Sequence, residues 1–280
     1  MKLKFSKMHG TGNDFIIINN IEAKIPVEKL GELAEKLCHR KFSIGADGLM
    51  VVDSPVFGGD LKMRYYNADG SFGEMCGNGA RCLARFGYEN GFAGEVQHIE
   101  TIAGMVIGYR QSESMYRVRL NDVSVRKEMD VSACGNKYHC AYLELGDPGI
   151  PHAVVEMKGL KEMEREDLRD LGKALRKAPE FPKGANVNFY EIIGNDEVAD
   201  ITYERGAEDF TLSCGTGTGA VVTVLKERGM VSGDNVKVKV PGGELFVTVN
   251  EEGIFLTGPT EVIAEGYVNT KELLKQQTSL

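Results

Sequence analysis

The sequence EMCGNGAR at residues 74–81 and the sequence LSCGTGTG at residues 212–219 share one pattern, a cysteine followed by Gly-x-Gly. Before each, an apolar-patterned run, residues 61–66 or 198–203, leads through a polar turn to the cysteine, and a helix-like segment follows. One copy is compatible with a simple tight turn. Two copies half a chain apart favour two similar halves, for which 280 residues are sufficient.

The cysteines of these two stretches, Cys76 and Cys214, are the first candidate functional residues. The glycines after each cysteine leave backbone N–H groups at the start of a helix open to a ligand, and a carboxylate suits that position. The positive end of a helix also lowers the pKa of a thiol. Each cysteine is therefore predicted to be a base beside a carboxylate-binding turn. Two such cysteines could remove a proton from one side of a substrate carbon and return one to the other side.

Other interpretations of the same stretches are possible. Free cysteine is often a buried packing residue. Gly215, Gly217 and Ala220 also fit the dinucleotide-binding fingerprint, with Asp234 at about the expected distance. Asp234 lies in a turn-like Ser-Gly-Asp-Asn segment, however, whereas the fingerprint requires an acid at the end of a strand. A binding module or a nucleotide-dependent enzyme, in either case without proton chemistry, is therefore an alternative interpretation of these stretches.

Composition excludes several other classes of protein. The net charge is −8 with a pI near 5.3 and there is no basic cluster interleaved with aromatic residues, so no nucleic-acid partner is predicted. No signal-peptide core follows Met1, and no apolar run is long enough to cross a bilayer, so we expect a cytoplasmic chain with no membrane partner. Six cysteines then indicate reduced thiols. The pairs Cys38–His39 and His139–Cys140 lack Cys-x-x-Cys spacing, and no metal site is predicted.

The pattern of helix-like and strand-like segments recurs in outline in the second half of the chain, which predicts two domains. Residues 27–40 form an amphipathic helix, and residues 160–177 form a charged counterpart in the second half. We place the first domain at residues 1–120 and the second at residues 121–264, with the tail at residues 265–280 packing back on the first. The predicted strands are residues 2–5, 15–19, 49–52, 61–66, 95–101, 105–110, 116–120, 142–145, 153–155, 187–193, 198–203, 236–240, 244–249 and 254–256.

Several motifs resemble those of the diaminopimelate epimerase family. They are KMHGTGNDF at residues 7–15, NADGS at 67–71, CGNGARC at 76–82, ERG at 204–206 and CGTG at 214–217. The resemblance implies a cofactor-independent isomerase that interconverts LL- and meso-diaminopimelate in lysine and peptidoglycan biosynthesis. It also implies an α+β fold of two pseudo-symmetric domains, each a mixed β-sheet curled around a central helix, with the active site in the cleft between them.

The resemblance further implies a role for each candidate site residue. Cys76 takes the proton from the LL substrate, and Cys214 returns one. The residues implied to hold the reacting carboxylate are Gly77, Asn78, Gly215 and Thr216. The residues implied to bind the distal end are Asn13, Asn67, Asn188, Glu204 and Arg205, where Glu204 takes the ammonium group and the planar guanidinium of Arg205 suits a carboxylate. The implied partners are a small amino-acid substrate and a second copy of the chain, with no cofactor and no metal.

Three residues depart from the family pattern near the implied substrate site. Ile150 stands where many members have an asparagine, Gly48 stands where some have a glutamine, and Phe210 stands where a glutamate is usual. These departures leave the cysteine chemistry intact. They keep open the alternative of a related racemase acting on another amino acid such as histidine or lanthionine.

Overall fold

A computed structural model describes residues 2–73 and 75–270. The described chain divides into two compact units. The first unit comprises residues 2–118 and 259–270, and the second comprises residues 119–258. The predicted tail began at residue 265, whereas the segment that returns to the first unit already begins at residue 259. Residues 271–280 of that predicted tail lie outside the described residues.

Strands are the most common regular element in both units. In chain order they are β1 (Lys2–Gly10), β2 (Asn13–Asn19), β3 (Gly48–Asp53), β4 (Leu61–Asn67), β5 (Phe72–Gly73), β6 (Val96–Thr101), β7 (Gly104–Arg110), β8 (Met115–Arg119), β9 (Val123–Ala133), β10 (Asn136–Leu145), β11 (Ile150–Glu156), β12 (Asn186–Gly194), β13 (Glu197–Glu204), β14 (Asp209–Phe210), β15 (Val236–Val240), β16 (Gly243–Asn250), β17 (Gly253–Pro259) and β18 (Glu261–Asn269). The helices are α1 (Asn20–Ala23), α2 (Val27–Cys38), α3 (Gly77–Glu89), α4 (Arg165–Arg176) and α5 (Gly215–Glu227), with a 3-10 turn at Leu160–Glu162.

The sheet of the first unit is mixed. Its strands run in the order β18, β1, β2, β3, β4, β6, β7 and β8, and the short strand β5 pairs with β4. The pairs β2–β3 and β4–β6 are parallel, and the others are antiparallel. Helix α3 contacts β1, β2, β4, β6 and β7, so the sheet curls around this helix.

The sheet of the second unit repeats this arrangement. Its order is β9, β10, β11, β12, β13, β15, β16 and β17, with β14 on β13 and parallel pairs at β11–β12 and β13–β15. Helix α5 contacts β10, β11, β12, β13 and β16. The predicted fold class, α+β with a mixed sheet around a central helix in each half, is confirmed.

The sequences of the helices explain their positions. Helix α5 is buried along residues 215–225 because it carries only glycine, alanine, threonine, valine and leucine there, and a helix that is apolar on all sides belongs inside a core. Helix α2 instead buries one stripe, including Leu30, Leu33 and Leu37, in a cluster with sheet residues such as Ile16 and Leu49. It therefore covers the outer face of the sheet. Helix α4 is likewise amphipathic and buries one leucine stripe in the second unit.

Three local predictions differ from the structure. The strands predicted at residues 2–5 and 15–19 are longer in the structure, because β1 continues to Gly10 and β2 already begins at Asn13, which leaves only Thr11 and Gly12 between them. The single helix predicted at residues 160–177 is interrupted, because Glu164 caps α4 in a reciprocal pair of bonds with Asp167. Strand β9 was not predicted, although its apolar residues alternate.

No helix in the part of the chain that the structure describes is long and apolar enough to cross a membrane.

Candidate active site

Cys76 occupies the residue before the first turn of α3. Its backbone is extended, with φ −136° and ψ 117°, and its carbonyl oxygen accepts from the N–H of Ala80 at 2.8 Å. Gly77 and Asn78 open the helix, so their backbone N–H groups have no partner further back in α3. The half-buried thiol thus lies at the positive end of a helix, as the sequence predicted.

Two asparagines flank this thiol. Asn13 Oδ1 lies 3.5 Å from Cys76 Sγ and accepts from Asn78 Nδ2 at 3.4 Å. Asn13 Nδ2 donates in turn to Asp47 Oδ2 at 2.8 Å. The first unit therefore brings together Cys76, Asn78 and Asn13, three of the residues that the family resemblance implied.

Arg81 contacts Asn78, and its part in the site was not predicted from the sequence. The side chain is fully buried; Nη1 donates to Asn78 Oδ1 at 3.0 Å and Nη2 donates to Thr11 Oγ1 at 2.9 Å. Burial lowers the pKa of Arg81 to about 10, while Cys82 and Cys76 act in the opposite direction, so the group stays charged at neutral pH. The available signal was an arginine among the small and apolar residues that begin α3.

Asn67 is the last residue of β4, where the chain turns toward Ser71. Its Nδ2 donates to Ser71 Oγ at 3.0 Å, and its backbone N–H donates to the carbonyl oxygen of Ser71. None of its contacts among the described residues joins it to Cys76 or Asn13.

Cys214 occupies the equivalent position before α5, with φ −120° and ψ 101°. Unlike Cys76, it is buried. Burial raises the pKa of Cys214 well above its ordinary value, and the charge of Glu204 adds to this, while the N–H of Gly217 and the hydroxyl of Thr216 act in the opposite direction. The expectation that the helix end alone makes a thiolate available is therefore wrong for Cys214, because burial outweighs the helix.

Asn188 on β12 is fully buried beside the first turn of α5. Its Oδ1 lies 3.2 Å from Nδ1 of His152, and its Nδ2 donates to Thr202 Oγ1 at 2.7 Å. A Cβ atom at Gly217 would collide with this amide, so the glycine allows α5 to approach β12 closely. The amide of Asn188 is thus engaged by protein groups.

Two buried ionisable side chains, His152 and Asp200, contact Asn188, and neither was predicted from the sequence as a site residue. Asp200 Oδ2 accepts from Thr218 Oγ1 at 2.9 Å, and burial raises the pKa of Asp200 to about 7 against the hydrogen bonds of Thr218 and Asn188. Burial lowers the pKa of His152 to about 4 against the hydrogen bond of Asn188. At pH 6 the imidazole is therefore neutral and the carboxyl group mostly protonated.

Glu204 and Arg205 lie at the end of β13. The N–H of Arg205 donates to Asn186 Oδ1 at 2.8 Å, and its Nη1 lies 3.3 Å from the carbonyl oxygen of Lys183, which leaves most of the guanidinium exposed. The charge of Glu204 contributes to raising the pKa of Cys214, so the carboxylate acts electrostatically on the thiol.

The residues that depart from the family pattern have structural explanations in two cases. Phe210 is partly buried and packs edge-on against Tyr203, with ring centroids 5.3 Å apart, and also against Phe189, so it covers the core of the second unit. Gly48 is required because a Cβ atom there would meet the ring of Tyr65. The structure gives no account of Ile150, which is half-buried at the start of β11.

The described residues contain no group of three or more His, Cys, Asp or Glu side chains placed to hold a metal ion.

Comparison with solved structures defines the fold class. A hydroxyproline epimerase from Agrobacterium vitis superimposes with a TM-score of 0.66 over 95% of this chain and 92% of its own, at 17% identity. The fold is therefore shared with an amino-acid epimerase of very different sequence.

Sequence comparison then identifies the family. The family model described as diaminopimelate epimerase matches residues 5–125 and 146–263. The diaminopimelate epimerase of Alkaliphilus metalliredigens is 37% identical, covering 96% of this chain and 99% of its own. That of Archaeoglobus fulgidus is 34% identical, covering 98% and 99%. The chain belongs to the diaminopimelate epimerase family, which confirms the predicted resemblance and the predicted enzyme class, an isomerase.

Proposed function

We propose that this chain interconverts LL- and meso-diaminopimelate by proton transfer between two cysteines, as a step of lysine and peptidoglycan biosynthesis. The observation that carries the proposal is the position of Cys76 and Cys214, each before the first turn of the central helix of its unit. Family membership supplies the substrate class. No observation favours histidine or lanthionine instead, since Phe210 packs against the core of the second unit.

In the proposed reaction the thiolate of Cys76 removes the α-proton of the LL substrate. An S–H bond forms, the C–H bond breaks, and its electron pair delocalises into the α-carboxylate. Cys214 then gives its thiol proton to the opposite face of the carbon and becomes the thiolate. Backbone N–H groups of Gly77, Asn78, Gly215 and Thr216 stabilise the charge that develops on the carboxylate.

The environment of Cys214 supports its role as the acid in this direction. Burial and the charge of Glu204 raise the pKa of Cys214, so it holds its proton in the free enzyme. The N–H of Gly217 and the hydroxyl of Thr216 favour the thiolate that forms after transfer. The same site can therefore supply a proton first and hold the resulting charge afterwards.

We propose that Glu204 binds the distal ammonium group and that Asn13, Asn67 and Arg205 bind the distal carboxylate. The exposed fork of Arg205 suits a two-point contact with a carboxylate. The assignment of Asn188 to the substrate stays a prediction. Its bonds to His152 and Thr202 support a second role, the support of the first turn of α5.

The proposal also includes a cytoplasmic homodimer that needs no cofactor. Six free cysteines fit a reducing compartment, and a two-thiol mechanism needs no electron sink beyond the substrate carboxylate. Analytical ultracentrifugation at micromolar concentration should give twice the chain mass. A monomer with full activity would contradict the homodimer alone.

The test is proton NMR of the reduced protein in D₂O with LL-diaminopimelate, with L-lysine and L-histidine in parallel samples. We expect loss of the α-hydrogen signal and appearance of the meso isomer for diaminopimelate only. Exchange of the α-hydrogen of lysine or histidine instead would show that the protein is a racemase of a different amino acid. Exchange with none of the three would contradict the proposed activity.

Three serine variants then test the two bases. Cys76→Ser and Cys214→Ser should each lower epimerisation by on the order of 10² to 10⁴-fold, because serine is a far weaker acid than cysteine. Cys134→Ser is the matched control, since Cys134 is an exposed thiol outside the site, and should retain the parent rate. Parent activity in either of the first two variants would exclude the two-cysteine mechanism.

A further inference from the structure

Arg81 is a charged group whose described contacts are all with neutral partners. Its guanidinium donates to Asn78 Oδ1 and Thr11 Oγ1, it has no ion pair among the described residues, and its buried Nε has no hydrogen-bond partner there. Burying a charge without a counter-ion is unfavourable, and an apolar side chain would fill the same volume at lower cost. The residue therefore needs an explanation other than packing of α3.

A guanidinium can only donate hydrogen bonds, which fixes the orientation of the amide it meets. The oxygen of Asn78 must face Arg81, so its Nδ2 points the other way and lies 3.4 Å from Asn13 Oδ1. The carboxylate of Asp47 can only accept hydrogen bonds, and its Oδ2 accepts one from Nδ2 of Asn13 at 2.8 Å. Both amides are thus held in one orientation by a donor-only group and an acceptor-only group.

This series of bonds ends at the candidate base. Asn13 Oδ1, held in place by Asp47 and Asn78, lies 3.5 Å from the sulfur of Cys76 and can accept a hydrogen bond from the S–H group. If Asn78 were reversed, its oxygen would face Asn13 Oδ1 and repel it. The orientation set at Arg81 therefore reaches the thiol through two side chains.

We propose that Arg81 is a positioning residue for the epimerisation, which orients Asn78 toward the substrate carboxylate and, through Asn13, the thiol of Cys76. This inference rests on the proposed function. Asp47 sets the other end of the same series. Thr11 holds the second nitrogen of the guanidinium, so that Arg81 itself has one position.

The first experiment compares three variants by steady-state kinetics on LL-diaminopimelate. Arg81→Met, which removes the donors, should lower kcat/KM by about 10- to 100-fold, as a small misplacement of reacting groups does. Arg81→Lys keeps a donor-only cation and should recover part of that loss. Arg85→Met, one turn later on α3, is the control; Arg85 bonds Glu89 and the carbonyl oxygen of Thr260, so the rate should stay within twofold of the parent.

A double-mutant cycle with Asn78→Ala separates positioning from general stability. If Arg81 acts through Asn78, adding Arg81→Met to Asn78→Ala should change kcat/KM by less than about threefold. Losses that multiply in the double variant would overturn the proposal, as would parent kinetics in Arg81→Met.

Asp47→Asn provides an independent test should Arg81→Met fail to fold. Asp47 is exposed, so the fold should survive, yet an asparagine there can present either a donor or an acceptor to Asn13. Asp47 also pairs with the exposed Arg40 and accepts from the N–H of Asp14, so we expect a small drop in melting temperature. We expect kcat to fall at least about fivefold, and an unchanged kcat would contradict the proposed orientation of Asn13 by Asp47. Because the parent enzyme is assayed first, failure of the proposed function would show as no epimerisation before any variant is tested.

Discussion

The carboxyl group of Asp200 and the hydroxyl group of Thr218 lie 2.9 Å apart, which ties the middle of β13 to the first turn of α5 four residues after Cys214. The carboxyl group is fully buried, and the pKa of Asp200 rises from its usual 3.8 to about 7. The structure therefore predicts a pH dependence of stability that arises at this one side chain.

We expect Asp200→Asn to stabilise the protein above pH 7. Between about pH 4 and pH 7 the folded state holds a proton that the unfolded state has lost, so the parent loses stability as pH rises through this range. Asparagine cannot ionise, and its oxygen can still accept from Thr218. Urea unfolding should show a gain of up to about 4 kcal/mol at pH 8 and little change near pH 4. Equal gains at both pH values would exclude ionisation as the cause.

In the Asp200→Asn variant, His152 should be the main source of the pH dependence of stability between pH 4 and pH 6.5. Its folded pKa of about 4 lies below the usual 6.5, so the unfolded state binds the extra proton and stability rises with pH between these values. In the parent this rise opposes the fall caused by Asp200. The stability of the Asp200→Asn variant should therefore increase as the pH rises from 4 to 6.5, and thermal melts at small pH intervals measure this increase. A flat profile would show that His152 does not titrate there.

Gly48→Ala should destabilise the first unit. A Cβ atom at this position would lie 2.5 Å from the ring of Tyr65 and 2.8 Å from the carbonyl oxygen of Tyr66, and the backbone oxygen cannot move away without disturbing the pairing of β3 with β4. We expect a loss of about 1–3 kcal/mol in urea unfolding. Gly94→Ala is the control, because nothing lies within 4 Å of its added carbon. Similar stability in the two variants would contradict the steric argument.

Phe210→Ala should affect stability and leave substrate choice unchanged. The ring packs on Tyr203 and Phe189, and its removal should lower the free energy of unfolding by about 2–4 kcal/mol, less than for a fully buried phenylalanine. The ratio of kcat/KM for diaminopimelate to that for lysine should not change. A changed ratio would restore the suggestion that Phe210 contacts substrate.

The repeated cysteine motif predicted two similar halves, and the family resemblance supplied the sheet around a central helix in each. The sequence also predicted a helix after each cysteine, and α3 and α5 begin at the residue that follows Cys76 or Cys214. Strand β9 was missed even though Val123, Val125, Met129 and Val131 alternate, since charged residues between them resemble a solvated loop.

The electrostatics of the site could not be predicted in the same way. Arg81, Asp200 and His152 are polar residues whose importance depends on burial, and burial of one side chain depends on strands distant in sequence. The pKa of Cys214 illustrates this, because the helix end visible in the sequence acts in one direction and the surrounding core acts in the other. Sequence patterns therefore predicted Cys76 and Cys214 as the candidate reacting groups and left their protonation undetermined.

The position of β18 has a consequence for biosynthesis on the ribosome. The sheet of the first unit has β18 at one edge, where it pairs with β1 from Lys2 to His9, so two neighbouring strands of this sheet come from opposite ends of the described chain. The second unit consists wholly of residues 119–258. During translation the later half can thus complete its sheet first, while the earlier half keeps one edge of β1 unpaired until residue 269 leaves the exit tunnel.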